Sequence, residues 1–356
     1  MAQPNQTEFV PLDLQVEQRW DRLAAHLAVS GHLLDRGTPP RQFAGGFGNL
    51  NFKIILDGKP AVLRRPPLGI VNPGSNDMMR EGRILTGLHP HFPLAPKCLH
   101  LSDDVEILGA PFLIMEYRRG LVIGGALPEY LRSDPTVGER LTDMLIYVLS
   151  SLHAVDPQTA GLASLGRPDG YLMRTANGWA KRAQVAWDGS APEHVVRIME
   201  WLEHHPTGDR ASVLLHNDFK LDNMILTPGG LEPKALIDWD LGTRGDPLWD
   251  LAVLLSYWTE PCDTGAMASL RQMPTGGPGF PSRRAVIERY SEASGNDVGD
   301  IRQFRVVAQF RLAVVFRQIF RRYRDSEEGN PRVSAFDTLA DGLMDFAVAL
   351  MEGDFD

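Results

Sequence analysis

His216-Asn217-Asp218-Phe219-Lys220-Leu221-Asp222-Asn223 is the stretch on which the fold turns. It places an aspartate, a lysine two residues on and an asparagine five residues on. Asp238 follows fifteen residues after Asn223, within Ala235-Leu236-Ile237-Asp238-Trp239. The apolar triplets Val213-Leu214-Leu215 and Met224-Ile225-Leu226 flank the octapeptide and predict two short buried strands. Thr227-Pro228-Gly229-Gly230 predicts a turn, and Lys234 to Ile237 predicts a further strand that ends on Asp238. A loop framed by a hairpin can aim its side chains from a rigid scaffold.

The residue types match one kind of chemistry. Phosphoryl transfer needs a carboxylate aimed at the acceptor hydroxyl, and an amide oxygen and second carboxylate to hold magnesium on the nucleotide phosphates. Asp218 is the candidate for orienting or deprotonating the acceptor. Lys220 would meet charge as it develops on the transferred group. Asn223 and Asp238 are the candidate metal ligands. ATP and Mg2+ are therefore the expected cofactors, with GTP as an alternative. Asp222 is not expected to bind metal, and a role for Asp240 beside Asp238 stays open.

Composition bounds the partners. The chain has 356 residues, enough for one large or two modest domains. Its 43% hydrophobic and 23% charged content is that of an ordinary globular protein. A net charge of −9 argues against nucleic-acid binding, which usually shows a basic domain. The two cysteines, Cys98 and Cys262, lie far apart and read as buried thiols in a reducing, cytoplasmic setting. The start has neither the basic nor the apolar segment of a secretory signal. No apolar run approaches the ~20 residues of a membrane span. A small-molecule acceptor is expected, with no nucleic-acid or membrane partner; oligomeric state is not legible.

Along the chain, a helical stretch near Val16 to Ala28 precedes a strand-like region from Gln42 to Leu56, which holds Gly45-Gly46-Phe47-Gly48. Asp57-Gly58 signals a hairpin, and Pro60 to Arg65 is the return strand. Asp77 to Leu88 has helical periodicity. Val105 to Leu108 and Phe112 to Met115 read as two more strands. Beyond about residue 130, Gly138 to Val155 and Gly178 to His204 are long helical patterns, and helix dominates after Asp238. The predicted fold is α+β and bilobal: residues 1–117 form a small antiparallel β-rich lobe of five strands and a helix, which covers the nucleotide. Residues 118–356 form a larger helical lobe with the catalytic loop, the metal site and the acceptor pocket. The site is expected in the cleft between lobes.

Other parts fit a nucleotide enzyme. Gly45, Gly46 and Gly48 could bring backbone N–H groups close to phosphates. Arg64, on the return strand, is the candidate cation for the phosphates, and Glu81 on the next helix its steadying carboxylate. Arg64 and Arg65 are adjacent on a strand and must face opposite ways; spacing selects Arg64. Backbone groups of Glu116 and Tyr117 are placed to meet the adenine edge. Asp250 reads as a structural residue that caps its helix and ties down the catalytic loop. Ile301 to Arg324 carries seven arginines, 302, 305, 311, 317, 321, 322 and 324, and no acid, among apolar residues. Those cations need partners: acids elsewhere in the chain, or an anionic acceptor.

Together these residues resemble the aminoglycoside phosphotransferase and choline kinase superfamily, a branch of the protein-kinase-like fold. The superfamily's H-G-D-x-x-x-x-N appears as His216 to Asn223, with Asn217 in place of Gly. Its following motifs appear as Ile237 to Asp240 and Gly245 to Leu251. Val62 to Pro67, Arg80-Glu81, Leu108 to Phe112, Met115 to Tyr117, Asp218 to Asn223 and Leu241 to Pro247 are similar to the kinase-like domain fused to some acyl-CoA dehydrogenases. Tyr171 to Arg174 followed by Trp179 fits the same group. The resemblance implies an ATP- and magnesium-dependent O-phosphotransferase, with a hydroxyacyl-CoA or hydroxy acid as acceptor. An aminoglycoside-type antibiotic phosphotransferase is the alternative acceptor class. A non-catalytic nucleotide-binding module is the alternative from another class.

Overall fold

The computed structural model describes residues 9–44, 48–67, 76–190, 192–324, 333 and 335–353. Gly45 and Gly46 lie outside them, so their expected phosphate contact has no structural counterpart to describe. The chain divides into two compact units. The first runs to Gly120 and adds Ala160–Leu162 and Lys234–Gly242; the second holds the remainder. The division is thus not a single cut near residue 118, because the segment bearing Asp238 belongs with the first unit.

The first unit contains α1 (Trp20–Val29), β1 (Arg41–Gln42), β2 (Leu50–Leu56), β3 (Lys59–Arg65), α2 (Met78–Leu88), β4 (Cys98–Ser102), α3 (Val105–Leu108) and β5 (Phe112–Glu116). Its five strands form a sheet of order β1-β2-β3-β5-β4, antiparallel throughout. Asp57 and Gly58, both at positive φ, make the β2–β3 turn. One sheet face packs Phe52, Leu63, Phe112 and Ile114 against Leu23 and Leu27 of α1. Such fully buried apolar side chains contribute about 1.5–3 kcal/mol each. Asp77 caps α2 by accepting from the Arg80 N–H at 2.9 Å. Gly87 lets α2 lie directly against the chain at Ala160, where a Cβ would overlap the Ala160 carbonyl oxygen.

Two expectations fail here. Val105–Leu108 is one turn of helix rather than a strand: the Asp104 carboxylate accepts from the Glu106 N–H at 2.9 Å, and Gly109 ends the turn at φ +83°. Four apolar-rich residues cannot distinguish strand from helix, and the capping aspartate decides. The fifth strand is instead Cys98–Ser102, where Leu99 and Leu101 alternate with His100 and Ser102 over only five residues. Cys262 is exposed rather than buried, whereas Cys98 is partly covered.

The second unit is mainly helical: α4 (Val137–His153), α5 (Tyr171–Ala186), α6 (Glu193–His204), α7 (Leu248–Tyr257), α8 (Gly265–Ser269), α9 (Arg283–Ser294), α10 (Arg302–Arg324) and α11 (Phe336–Glu352). The pattern expected over Gly178 to His204 is two helices. Asp188 at φ +55° breaks it, and α5 starts earlier, at Tyr171. Short strands β6 (Val213–Leu215), β7 (Met224–Leu226) and β9 (Thr243–Gly245) occur around the loop, and β8 (Pro233–Leu236) falls in the first unit but for its first residue. β9, unforeseen, pairs antiparallel with β6. All residues of α7 are buried, consistent with its unbroken apolar sequence. Among the described residues, no helix is long and apolar enough to cross a membrane.

Candidate active site

In the first unit, β3, α2 and the segment after β8 converge on one buried cation. Arg64 donates from Nε to Glu81 Oε2 at 2.8 Å, from Nη2 to Asp238, and from Nη1 to Asn51 Oδ1 at 3.4 Å. Arg64 is 6% exposed and Glu81 fully buried. Strand alternation separates the two arginines as expected: Arg65 turns the other way and donates to Gln18 Oε1 and the Leu108 carbonyl. Both are buried, so neither is a surface strand residue. Burial alone would favour neutral Arg64, but Asp238 and Glu81 hold it protonated above its ordinary range. Burial pushes the Glu81 carboxyl up to about 7 against the pull of Arg64.

Asp238 sits at φ +71°, a left-handed conformation that Asp tolerates better than most residues. The turn swings its half-exposed carboxylate toward Arg64. Asp240 Oδ2 accepts from Asn49 Nδ2 and the Asn76 N–H, each at 3.3 Å, and lies 3.9 Å from Arg64. Burial and the neighbouring Asp238 charge both raise its pKa. Asn76 also donates to the Gly48 carbonyl at 3.1 Å. Asp240 therefore ties the turn at Gly48–Asn49 to the Asp238 segment. At the connector, the Glu116 N–H already donates to the Lys97 carbonyl at 2.9 Å, so this donor is not open to an adenine edge. Tyr117 stacks its ring on Phe43 and lies under Lys53 Nζ at 4.7 Å.

In the second unit, the catalytic-loop residues surround Asp218. Asn217 has φ +70°, a left-handed conformation that Asn tolerates better than most residues, so it can stand at the Gly position of the H-G-D motif. Its side chain accepts from Trp249 Nε1, and from Tyr171 Oη at 3.4 Å. Asp250 is buried and accepts from the His216 and Asn217 N–H groups, each at 2.7 Å. It ties the loop backbone, as expected, while the first N–H of α7, that of Leu248, is taken by Asp246 Oδ1 at 2.9 Å rather than by Asp250. His216 Nδ1 in turn accepts from the Asp218 N–H at 3.3 Å.

Asp218 Oδ1 accepts from Arg311 Nη2 at 2.9 Å and Tyr257 Oη at 3.1 Å. Oδ2 faces Lys220 Nζ at 3.5 Å and Asn223 Nδ2 at 3.3 Å. Burial works to raise its pKa, but Lys220 and Arg311 overcome that and hold the carboxyl well below the usual range. Lys220 also meets Asp222 at 3.4 Å and lies over the Tyr257 ring at 5.1 Å. Asp222 therefore serves Lys220. Asn223 spends its amide nitrogen on the Asp218 carbonyl at 2.8 Å as well, which turns its Oδ1 away from Asp218. The Asn223 amide oxygen in this unit and the half-exposed Asp238 carboxylate in the first are each hard oxygen donors of the kind magnesium takes.

Tyr257 and Arg311 escaped the reading of the motifs. Tyr257 ends an apolar helix and gave no local signal. Arg311 belonged to the arginine-rich segment, and the structure divides that group. Arg317 pairs with Asp337, Arg321 with Asp188 at 2.9 Å and Arg302 with Asp300 at 3.8 Å. Arg311 alone of these takes the loop carboxylate. A cavity of about 740 Å³ opens in the same unit, lined by Gly125, Leu127, Thr259, Leu270, Met273 and Pro278 among others. The Met273 sulfur accepts from the Leu221 N–H at 3.5 Å, so the cavity wall touches the catalytic loop.

The chain is 28% identical over 307 residues to acyl-CoA dehydrogenase family member 10 of Mus musculus, covering 86% of this chain and 28% of that protein. It spans well under half the length of the curated relatives it matches. A candidate aminoglycoside phosphotransferase from Ralstonia eutropha has the same fold: TM-score 0.75, 22% identity, 95% of this chain and 99% of that one. An aminoglycoside phosphotransferase solved as a ternary complex with AMP-PNP and hygromycin B aligns with TM-score 0.56 and 17% identity, over 93% and 97% of the two chains. The protein-kinase-like fold is thus established, and with it the antiparallel sheet and helical remainder. The model of the phosphotransferase enzyme family matches residues 40–286, and the chain belongs to that family.

Proposed function

We propose that the protein transfers the γ-phosphoryl group of ATP to the hydroxyl of a small molecule. Support comes chiefly from the Asp218 carboxylate, ionised and fixed by Arg311, Tyr257, Lys220 and Asn223 in the Asp-x-Lys-x-x-Asn loop. Asp218 orients the acceptor hydroxyl and takes its proton late, because a carboxylate this acidic is a weak base. Lys220 moves from Asp218 toward the transferred group as charge builds there. Arg64, steadied by Glu81, pairs with the nucleotide phosphates. Asn223 and Asp238 would hold magnesium, whose positive charge would offset that of the phosphate oxygens. The Glu116 carbonyl and the backbone of Tyr117 are the connector groups for the adenine edge.

The acceptor is best read as a hydroxyacyl-CoA or hydroxy acid. The names of the relatives that match 86% of the chain favour it, as does the cationic surround of Asp218. The cavity beside Met273 offers room for the body of such an acceptor. The overall charge of −9 favours the other class, a polycationic antibiotic. The test is a mass-spectrometric screen for phosphorylated product with ATP, Mg2+ and hydroxyacyl-CoAs, hydroxy acids, aminoglycosides, choline or homoserine, with Asp238→Ala as control. Product from one class, absent in the variant, is expected. Nucleotide binding without product in any class would point to a non-catalytic module.

A further inference from the structure

Trp179 and Arg182 lie three residues apart on α5, so they share a face of that helix. The Arg182 guanidinium sits 4.6 Å from the centroid of the Trp179 ring, and the Arg311 guanidinium 5.7 Å from the same ring. Two cations therefore flank one half-buried aromatic platform, next to the carboxylate that faces the acceptor. Arg311 is 3% exposed, and its Nη1 is buried with no hydrogen-bond partner. Its Nη2 is the nitrogen bound to Asp218. Arg182 is half-buried and has no carboxylate within ion-pair distance among the described residues. Arg302, Arg317 and Arg321, by contrast, each have an acid.

Unfilled donors on clustered guanidinium groups are costly unless an anion completes them. Burial first, and then the Arg311 charge, work against the protonated form of Arg182. The charge of a bound anion would offset both penalties. Arginine is suited to the task because its planar fork matches carboxylate or phosphate oxygens.

We propose that Arg182, Trp179 and Arg311 form a subsite for an oxyanion on the acceptor, which makes the enzyme select anionic alcohols and reject cationic ones. This rests on the phosphotransferase reading. Arg182 receives the carboxylate or phosphate, and the Trp179 face, which attracts cations, holds the Arg182 guanidinium in place for it. Arg311 backs them while it holds Asp218 for the hydroxyl of the same molecule.

The experiment uses four alcohols with one carbon skeleton: 4-hydroxybutyrate, 4-hydroxybutyl phosphate, 4-hydroxybutyramide and 4-aminobutan-1-ol. Binding to the full chain is measured by ligand-observed NMR without nucleotide, for wild type, Arg182→Gln and Arg182→Lys. At least one anion is expected to bind about tenfold more tightly than the amide, the worth of a charged hydrogen bond, and the ammonium compound not at all. Which anion binds better assigns the group as carboxylate or phosphate. Arg182→Gln should remove the preference, and Arg182→Lys should restore part of it. Equal binding of all four, no binding of either anion, or an unchanged preference in Arg182→Gln would overturn the subsite. Phosphoryl transfer is read separately with ATP. Anion binding without transfer to any alcohol defeats the phosphotransferase reading and leaves the subsite. Transfer at equal kcat/KM to the acid and its amide does the reverse.

Discussion

Replacing Asp250 should unfasten the catalytic loop without touching a reacting group. Its carboxylate is fully buried and accepts from two successive backbone N–H groups, those of His216 and Asn217, at 2.7 Å each. His153 Nε2 lies 3.4 Å from Oδ2, the oxygen that also accepts from His216. A hydrogen bond to a buried charged group contributes about 1.5–3 kcal/mol, and a stranded buried donor costs about 1–3 kcal/mol. Asp250→Asn keeps one acceptor oxygen and turns an NH2 group on the other N–H, so a loss of about 2–4 kcal/mol is expected. Asp250→Ala strands both donors and should lose about 3–5 kcal/mol. Urea denaturation gives the global number. Hydrogen exchange at the His216 and Asn217 amides gives the local one, since loops can open without global unfolding. Protection at those two amides should fall by at least tenfold in Asp250→Asn, as the smaller loss implies, and kcat should fall with it. Unchanged protection and stability within about 0.5 kcal/mol of wild type, the range of ordinary surface substitutions, would refute the tie.

Other outcomes follow from the same geometry. Asn217→Ala should destabilise by about 1–3 kcal/mol through left-handed strain and lost side-chain bonds, and Asn217→Gly by less, as measured by thermal unfolding. Arg64→Met strands the buried Glu81 and should cost about 3–5 kcal/mol, with loss of the ATP-induced shift in Tm; Arg64→Lys should keep part of that shift. For pH, Asp218 is held well below the ordinary carboxylate range, so its contribution is present above the unfolded pKa and is lost only as pH falls through the lower folded one. The rate should therefore show no Asp218 limb between pH 5 and 8. Glu81, raised to about 7, should instead weaken nucleotide affinity as pH falls through 7, and Glu81→Gln should abolish that dependence in an ATP titration.

Much of this site was legible because its parts are local in sequence. Asp218, Lys220 and Asn223 share one loop, so the structure had little freedom to separate them. Arg64 was reached from its spacing and the position of Glu81, and the structure has a 2.8 Å bond between them. Tyr257 and Arg311 were not legible, because their approach to Asp218 depends on how α7 and α10 pack; no spacing encodes it. The misread of Val105–Leu108 has a similar origin, since one capping carboxylate outweighs four ambiguous side chains. The Glu116 N–H was not legible for a third reason. A backbone N–H carries no side-chain identity, so its engagement by Lys97 cannot be inferred from the residue itself.

The contact of Gly87 with Ala160 has a consequence for how mutations at this protein should be interpreted. Glu81 lies six residues before Gly87 on α2, about 9 Å along the helix axis. The helix is stopped there by backbone meeting backbone, and neither side can yield as a flexible side chain would. A single added methyl at position 87 would be transmitted as a tilt of the rigid rod and would draw the Glu81 carboxylate away from Arg64. Activity would fall as though a reacting group had been lost, while every such group remained. Position 87 is in effect a spacer that sets the reach of a carboxylate nearly two turns away, and a survey of inactive variants would mistake it for part of the chemistry.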